Sequence, residues 1–425
     1  MKFFLFSLGC KVNSYENDNL RQAFLKLGYE EVVREDEAEI IVLNTCSVTS
    51  VADKKSRQHV RRFRKAAPNA ILVVMGCYTV LHYEEAKSIG ADIVLGTANR
   101  NKIPEYIDTF SKNHEFILDM KTTYRKEKYE EMGQIALTDN TRAYLKIQDG
   151  CDNYCTYCII PTLRGNSRSR GIENTLREAK HMVELGYKEI VITGVHLGAY
   201  GKDLGDGSYR LGNLLTDMLA QSPDLFRLRI SSIEDSEIDE KMLNILKGNK
   251  EVVSHLHMPL QSGSDGVLKR MHRKYDCAFF MSTLDKIREI RPDIGITTDI
   301  IVGFPGETEE DFKKTLEVAK ECFDQIHVFP YSARKGTYAA TLKDTAPEVK
   351  KDRVHRLLDL SRELRDEYEK QFFGQELTVL FEDYNEKEGL AYGHTANYLL
   401  VKVPSSCSKH GQIERVLYND KTKAD

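Results

Sequence analysis

Within Gly150-Cys151-Asp152-Asn153-Tyr154-Cys155-Thr156-Tyr157-Cys158, three thiols occupy eight consecutive residues in the spacing C-x3-C-x2-C. Thiols this close share one loop, and three thiolates can wrap a small inorganic object without closing it. A [4Fe–4S] cube takes four thiolates. Three leave one iron with an open position, as catalytic metal sites keep one where structural sites are closed. The next cysteine is Cys277, far downstream. The competing reading, structural zinc, usually has two C-x2-C pairs, and the second pair is missing. The spacing favours the open cluster.

A second set of thiols emerges from residues 1–112. Apolar runs at 3–8, 40–43 and 71–75 are continuous rather than alternating, which suits strands buried on both faces of a parallel sheet. Between them lie helical patterns such as Leu20, Ala23, Phe24 and Leu27, closed by Gly28. Strand and helix in repetition predict a doubly wound α/β layer. Each run is followed within a few residues by a cysteine: Cys10, Cys46 and Cys77. Ligands collect at the carboxyl ends of strands in such sheets, so the three thiols converge on one edge. Buried free cysteines in a core are the alternative; equivalent placement at three strand ends favours a second cluster, again one ligand short of closed.

Charge and length set limits on the rest. At 425 residues the chain has room for about three domains. Its net charge of −4 excludes a generally basic nucleic-acid coat, so any RNA contact falls to local patches. One such patch is 52–65, where Lys54, Lys55, Arg57, Arg61, Arg62, Arg64 and Lys65 face a single acid, Asp53. It reads either as a solvated helix face or as a phosphate contact, with Arg61 and Arg62 as candidates. The apolar opening, residues 3–8, lacks a cleavage site and is soon followed by charged helical sequence. No stretch reaches a membrane-spanning length. A cytoplasmic protein is expected, in which nine cysteines mean metal ligands or core rather than disulfides.

Residues 113–138 lose periodicity and read as a connection with room for one short strand. From 139 to 370, apolar runs recur at 143–147, 189–193, 228–230, 256–260, 294–302 and 326–329, with helical patterns between. Six parallel strand–helix units predict an incomplete barrel whose chemistry sits at the carboxyl ends of the strands. Cys151 follows the first strand, as that requires. Arg164, Arg168 and Arg170 lie just past the cluster loop and suit a carboxylate or phosphate. His255 and His257 read as packed or surface residues, and Cys277 and Cys322 as core. Short β runs from 371 to 425 predict a small β-barrel.

The C-x3-C-x2-C loop, with Tyr157 before its last cysteine, resembles that of the radical S-adenosylmethionine enzymes. Its continuation Ile159-Ile160-Pro161-Thr162-Leu163-Arg164-Gly165 resembles one branch, the methylthiotransferases, and the similarity spans nearly the whole chain. The resemblance implies a partial (β/α)6 barrel followed by a TRAM domain, with Tyr392-Gly393-His394-Thr395-Ala396-Asn397-Tyr398 as one TRAM segment. It implies two [4Fe–4S] clusters. One, on Cys151, Cys155 and Cys158, binds S-adenosylmethionine through its open iron and cleaves it to a 5′-deoxyadenosyl radical. The other, on Cys10, Cys46 and Cys77, supplies or carries the inserted sulfur. By resemblance, Tyr157, Gly194, Ser231, Glu234, Gln261, Asp299 and Gly303 are expected to contact S-adenosylmethionine.

Leu8-Gly9-Cys10-Lys11-Val12-Asn13-Ser14-Tyr15-Glu16 is similar to the subgroup acting on N6-threonylcarbamoyladenosine in tRNA. That implies an anticodon stem-loop as partner, a flavodoxin-like or ferredoxin-like electron donor, no membrane and a monomeric enzyme. The substrate-binding candidates are then Arg61, Arg62, Arg164, Arg168 and Arg170. Alternatives are a methylthiotransferase acting on N6-isopentenyladenosine or on a ribosomal protein, and a non-catalytic iron–sulfur RNA-binding protein. RNA binding is expected to be divided between the last domain and 52–65, and separable from the radical site.

Overall fold

The computed structural model describes residues 1–120, 127–135 and 140–424. The first domain is one parallel sheet of β1 (Lys2–Ser7), β2 (Glu30–Glu31), β3 (Ile40–Thr45), β4 (Ile71–Gly76), β5 (Ile93–Leu95) and β6 (Ile117–Asp119), in the order β2-β1-β3-β4-β5-β6. Helices α1 (Lys11–Lys26), α2 (Ser50–Ala66), α3 (Cys77–Ser88) and α4 (Ile103–Asn113) cover both faces. Alternate residues of one strand serve opposite cores. Ile41 and Leu43 pack with Val60 and Phe63 of α2, whereas Ile40 and Val42 pack with Leu20 and Phe24 of α1. That is why these runs are continuous in sequence. The strands β2, β5 and β6 are too short to leave such a run. Residues 121–126 and 136–138 of the connection, and 139 after it, lie outside the described residues. Its described part is tied down: Glu130 bonds Arg100 at 2.6 Å, and the Tyr129 hydroxyl donates to the Lys146 carbonyl at 2.9 Å.

All six apolar runs of the central domain are strands. β7 (Arg142–Lys146), β10 (Glu189–Thr193) and β11 (Arg227–Ile230) form one parallel sheet, and β12 (His255–His257), β13 (Gly295–Val302) and β14 (Gln325–Pro330) another. A parallel bridge between Leu228 and Val252 joins them into an open barrel. Between β7 and β10, a short antiparallel pair, β8 (Gln148–Asp149) and β9 (Arg168–Ser169), flanks the cysteine loop and α5 (Ile160–Arg164). The outer layer is α6 (Ile172–Glu184), α7 (Leu211–Gln221), α8 (Glu240–Gly248), α9 (Asp265–Arg270), α10 (Cys277–Ile290) and α11 (Glu309–Cys322), followed by α12 (Pro347–Lys370).

The last domain is a curled antiparallel sheet of β15 (Glu376–Asn385), β16 (Leu390–Thr395), β17 (Leu400–Pro404) and β18 (Ile413–Leu417), ordered β17-β16-β15-β18. Its core joins Val379, Phe381 and Val401 to Tyr368 and Phe372 at the end of α12. β16 escapes a search for apolar runs because its inward residues are Ala391, Gly393 and Thr395. Among the described residues, no helix is long and apolar enough to cross a membrane.

Candidate active site

The loop from β8 to α5 carries Cys151, Cys155 and Cys158. Gly150 starts it at φ 72°, where a Cβ would collide with the Asn166 carbonyl, so the turn requires glycine. Cys151 N–H donates to Gly165 O at 3.1 Å, and Cys158 N–H to Cys155 O at 2.9 Å. The sulfurs also receive donors: Asn153 N–H lies 3.4 Å from Cys151 Sγ and Arg273 Nη1 3.4 Å from Cys155 Sγ. Glu234 positions both donors, accepting from Arg273 Nη2 at 2.9 Å and Asn153 Nδ2 at 3.1 Å. Burial pushes the Cys158 thiol up to about 12 and raises Cys155 as well. Such neighbouring thiols cannot all ionise without a cation among them. The donor set therefore fits an iron–sulfur cube with one iron left open.

The second triplet forms where three adjacent strands end. Cys10 caps α1, Cys46 follows β3 and Cys77 opens α3. Gly9, at φ 103°, allows the close approach, for a Cβ there would stand 2.9 Å from Cys46 Sγ. Burial pushes Cys77 up to about 12, opposed by Arg164 and reinforced by Cys46 and Cys10. Asn13 ties the Cys10 and Cys46 segments to each other and to Arg164, with Nδ2 donating to Leu8 O at 2.6 Å and Thr45 O at 3.2 Å, and Oδ1 accepting from Arg164 Nη2 at 2.8 Å. This set also fits a cube with an open iron. The triplets are neighbours: Cys77 packs on Ile159 and Leu163, just beyond Cys158.

A cavity of about 1220 Å3 runs from the second triplet, past Thr193, Gly194 and Ser231 at strand ends, into the barrel. Its floor is built from the first residues of barrel strands and a turn of the last domain. Tyr398 enters with φ 71° and stacks on His255, ring centroids 4.8 Å apart. Arg229 and Arg142 lie over its ring at 4.7 and 5.3 Å. Glu189 sits among three guanidiniums, those of Arg229 (2.5 Å), Arg227 (3.5 Å) and Arg142 (3.6 Å). Along the wall, Asp299 lies 3.3 Å from both His257 and His327. Against its burial, their hydrogen bonds hold the Asp299 carboxyl well below the usual range.

Of the residues expected to contact S-adenosylmethionine, Gly194, Ser231 and Asp299 line this cavity. Four do not. Glu234 lies behind the cysteine loop, bonded as described. Tyr157 packs edge-on against Phe304. Gln261 turns the chain at φ 70°, its N–H on Asp299 O at 2.9 Å. Gly303 faces Lys350 of α12 and donates its N–H to Glu307 at 2.6 Å. His255 and His257, read from sequence as packed or surface residues, both face the cavity.

Most of the arginines expected to bind substrate are engaged within the fold. Arg168 donates to the carbonyls of Arg164 (2.8 Å) and Asn166 (3.0 Å) and faces Asp149. Arg170 binds Glu178, Glu131 and the Tyr15 hydroxyl. A buried guanidinium is stable only when paired, and these two are paired inside the fold. Arg164 alone of the three borders the cavity, and it too bonds Glu16 at 3.0 Å and Asp149 at 3.1 Å. On α2, Arg62 is held by Glu35 at 2.5 Å, while Arg64 binds Asp92. Lys54, Lys55 and Arg61 are exposed and make no ion pair among the described residues. The last domain is no separate module either, since its Tyr398 and His394 line the cavity. Sequence reasoning missed Lys11, Arg229, His327 and Tyr398; only the lysine after Cys10 offered a local signal.

Residues 145–319 match the family described as the Radical SAM superfamily, and residues 2–96 match Uncharacterized protein family UPF0004. The chain is 44% identical to threonylcarbamoyladenosine tRNA methylthiotransferase MtaB of Bacillus subtilis, over 96% of this chain and 92% of the relative. It is 39% identical to the protein of that name from Thermotoga maritima, covering 92% and 89%. A tRNA-2-methylthio-N(6)-dimethylallyladenosine synthase from Bacillus velezensis is 34% identical, over 98% and 83%. Among solved structures, the radical S-adenosylmethionine methyltransferase TsrM of Kitasatospora setae shares the fold, with a TM-score of 0.59, 13% identity and coverage of 80% and 74%. With one thiol triplet opening onto the barrel cavity and the other packed next to it, this chain belongs to the radical S-adenosylmethionine methylthiotransferases.

Proposed function

We propose that this chain is a tRNA methylthiotransferase that converts N6-threonylcarbamoyladenosine, next to the anticodon, into its 2-methylthio derivative. The observation that carries the reading is the opening of the Cys10, Cys46 and Cys77 triplet onto the cavity that begins just past the Cys151, Cys155 and Cys158 loop. In this reading each triplet holds one [4Fe–4S] cluster. With S-adenosylmethionine bound, the clusters would supply one-electron cleavage of one molecule to a 5′-deoxyadenosyl radical and the sulfur for insertion, and a second S-adenosylmethionine would supply the methyl group.

The chain's own residues prepare the site for that chemistry. Arg164, between Glu16 and the second triplet, offsets negative charge on Cys77. Asn153 and Arg273 donate to the sulfurs of the first loop, stabilising charge there. Tyr398 and His255 stack at the floor of the cavity. A base reaches such an enclosed site only when unstacked, which an anticodon loop allows. The free cations of α2 contact the RNA backbone. A flavodoxin-like or ferredoxin-like protein donates the electron, and the enzyme works as a cytoplasmic monomer. The cationic cavity floor favours this substrate over the apolar isopentenyl base named for some relatives.

Mass spectrometry of nucleosides from total tRNA tests the reading. A strain lacking the protein should lose 2-methylthio-N6-threonylcarbamoyladenosine and accumulate the unthiolated nucleoside. An unchanged nucleoside profile would overturn it.

A further inference from the structure

At and just beneath the cavity floor, positive side chains outnumber the carboxylates that meet them. Lys11 and Arg229 line the cavity, and Arg142 and Arg227 lie close by, around two carboxylates, Glu189 and Glu382. Lys11 lines the cavity, and its ammonium makes no hydrogen bond or ion pair among the described residues. Arg229 is 1% exposed and lines the same cavity. Its Nε and Nη2 are taken by Glu189 and the Ala396 carbonyl, but Nη1 is buried without a partner. His255 adds no further positive charge: burial and Arg229 hold it well below the usual imidazole range, so it stays neutral. An unpartnered buried donor and an uncompensated cation each cost free energy until an anion arrives.

We propose that Lys11 and Arg229 form a carboxylate subsite that binds the acid group of the N6 substituent on the base being modified. The inference rests on the function proposed above and names the residues that read its substrate. Position selects the anion. Lys11 directly follows Cys10, so the subsite adjoins the thiol triplet. A base presented to that triplet places its substituent, not the RNA backbone, toward the floor. Tyr398, stacked on His255 and carrying Arg229 over its ring, forms the floor beside these cations. The threonylcarbamoyl group ends in a carboxylate, whereas an isopentenyl group has no charge to offer.

Equilibrium binding of anticodon stem-loops to the reconstituted full-length protein tests this without relying on turnover. Three RNAs are compared, bearing threonylcarbamoyladenosine, its carboxamide analogue, or plain adenosine. The native protein should prefer the carboxylate over the carboxamide by about 10- to 100-fold, the range for one charge-assisted pair. Lys11→Met should reduce that preference to within about threefold, and Lys11→Arg should restore most of it. Retention of the full preference in Lys11→Met would overturn the subsite. So would equal weakening toward all three RNAs, which marks a phosphate contact. Nucleosides recovered from the same reactions report separately whether the threonylcarbamoyl base is the substrate, so failure of that reading is distinguishable.

Discussion

Tyr398 of the last domain lies 4.8 Å from His255 at the start of β12, their rings inclined by 22°. Through this pair a small β-barrel becomes the floor of a cavity that the other two domains line. The same tyrosine carries Arg229 at 4.7 Å on its ring, a cation–π contact. Tyr398→Ala should therefore open the barrel to water. Stability should fall by about 1–3 kcal/mol, from lost burial and the lost cation–π contact. The yield of modified nucleoside per S-adenosylmethionine cleaved should fall too, as measured by chromatography of both products. Unchanged coupling in a stably folded variant would mean that the floor does not seal the site.

Glu16 is fully buried and receives Arg100 at 3.0 Å, Lys146 at 2.9 Å and Arg164 at 3.0 Å. It links α1 to β7 and to the helix after the cysteine loop. Glu16→Gln leaves several buried cations short of a counter-charge, with an expected loss on the order of 3–5 kcal/mol. Denaturant unfolding of the iron-free protein reads this directly.

Alanine at Cys151, Cys155 and Cys158 should halve the iron of the reconstituted protein and abolish S-adenosylmethionine cleavage. Alanine at Cys10, Cys46 and Cys77 should also halve the iron but leave uncoupled cleavage measurable. Iron analysis and product chromatography check both outcomes. Loss of all iron from either variant would contradict one cluster per triplet.

Replacing Lys54, Lys55 and Arg61 with glutamate should weaken tRNA binding roughly 10-fold or more at about 0.1 M salt, and flatten the salt dependence by close to one unit of slope per lost phosphate contact. Arg62→Glu, which meets Glu35, is expected to act less on RNA than on the packing of α2. Filter binding across a salt series separates the two.

Much of this molecule was legible in its sequence because the signals are local. Six barrel strands and three sheet strands show as apolar runs, and both thiol triplets follow from where such runs end. The cavity floor was not legible. Lys11, Arg229 and Tyr398 come from three domains, and no periodicity marks a residue that meets its neighbours only after the domains dock. The same blindness hid the pairing of Arg168 and Arg170 inside the fold. Their partners Asp149, Glu178 and Glu131 decide whether a guanidinium is free, and two of these stand on other elements. Tyr157, Gln261 and Gly303 illustrate another limit, since a motif fixes local backbone without saying which way it faces the cavity.

The most direct test of the account is to offer the reconstituted enzyme, with reductant and S-adenosylmethionine, two otherwise identical tRNAs. One bears N6-threonylcarbamoyladenosine beside the anticodon and the other N6-isopentenyladenosine. After digestion, mass spectrometry should find the 2-methylthio derivative of the first and none of the second. Methylthiolation of the isopentenyl tRNA alone would contradict the account.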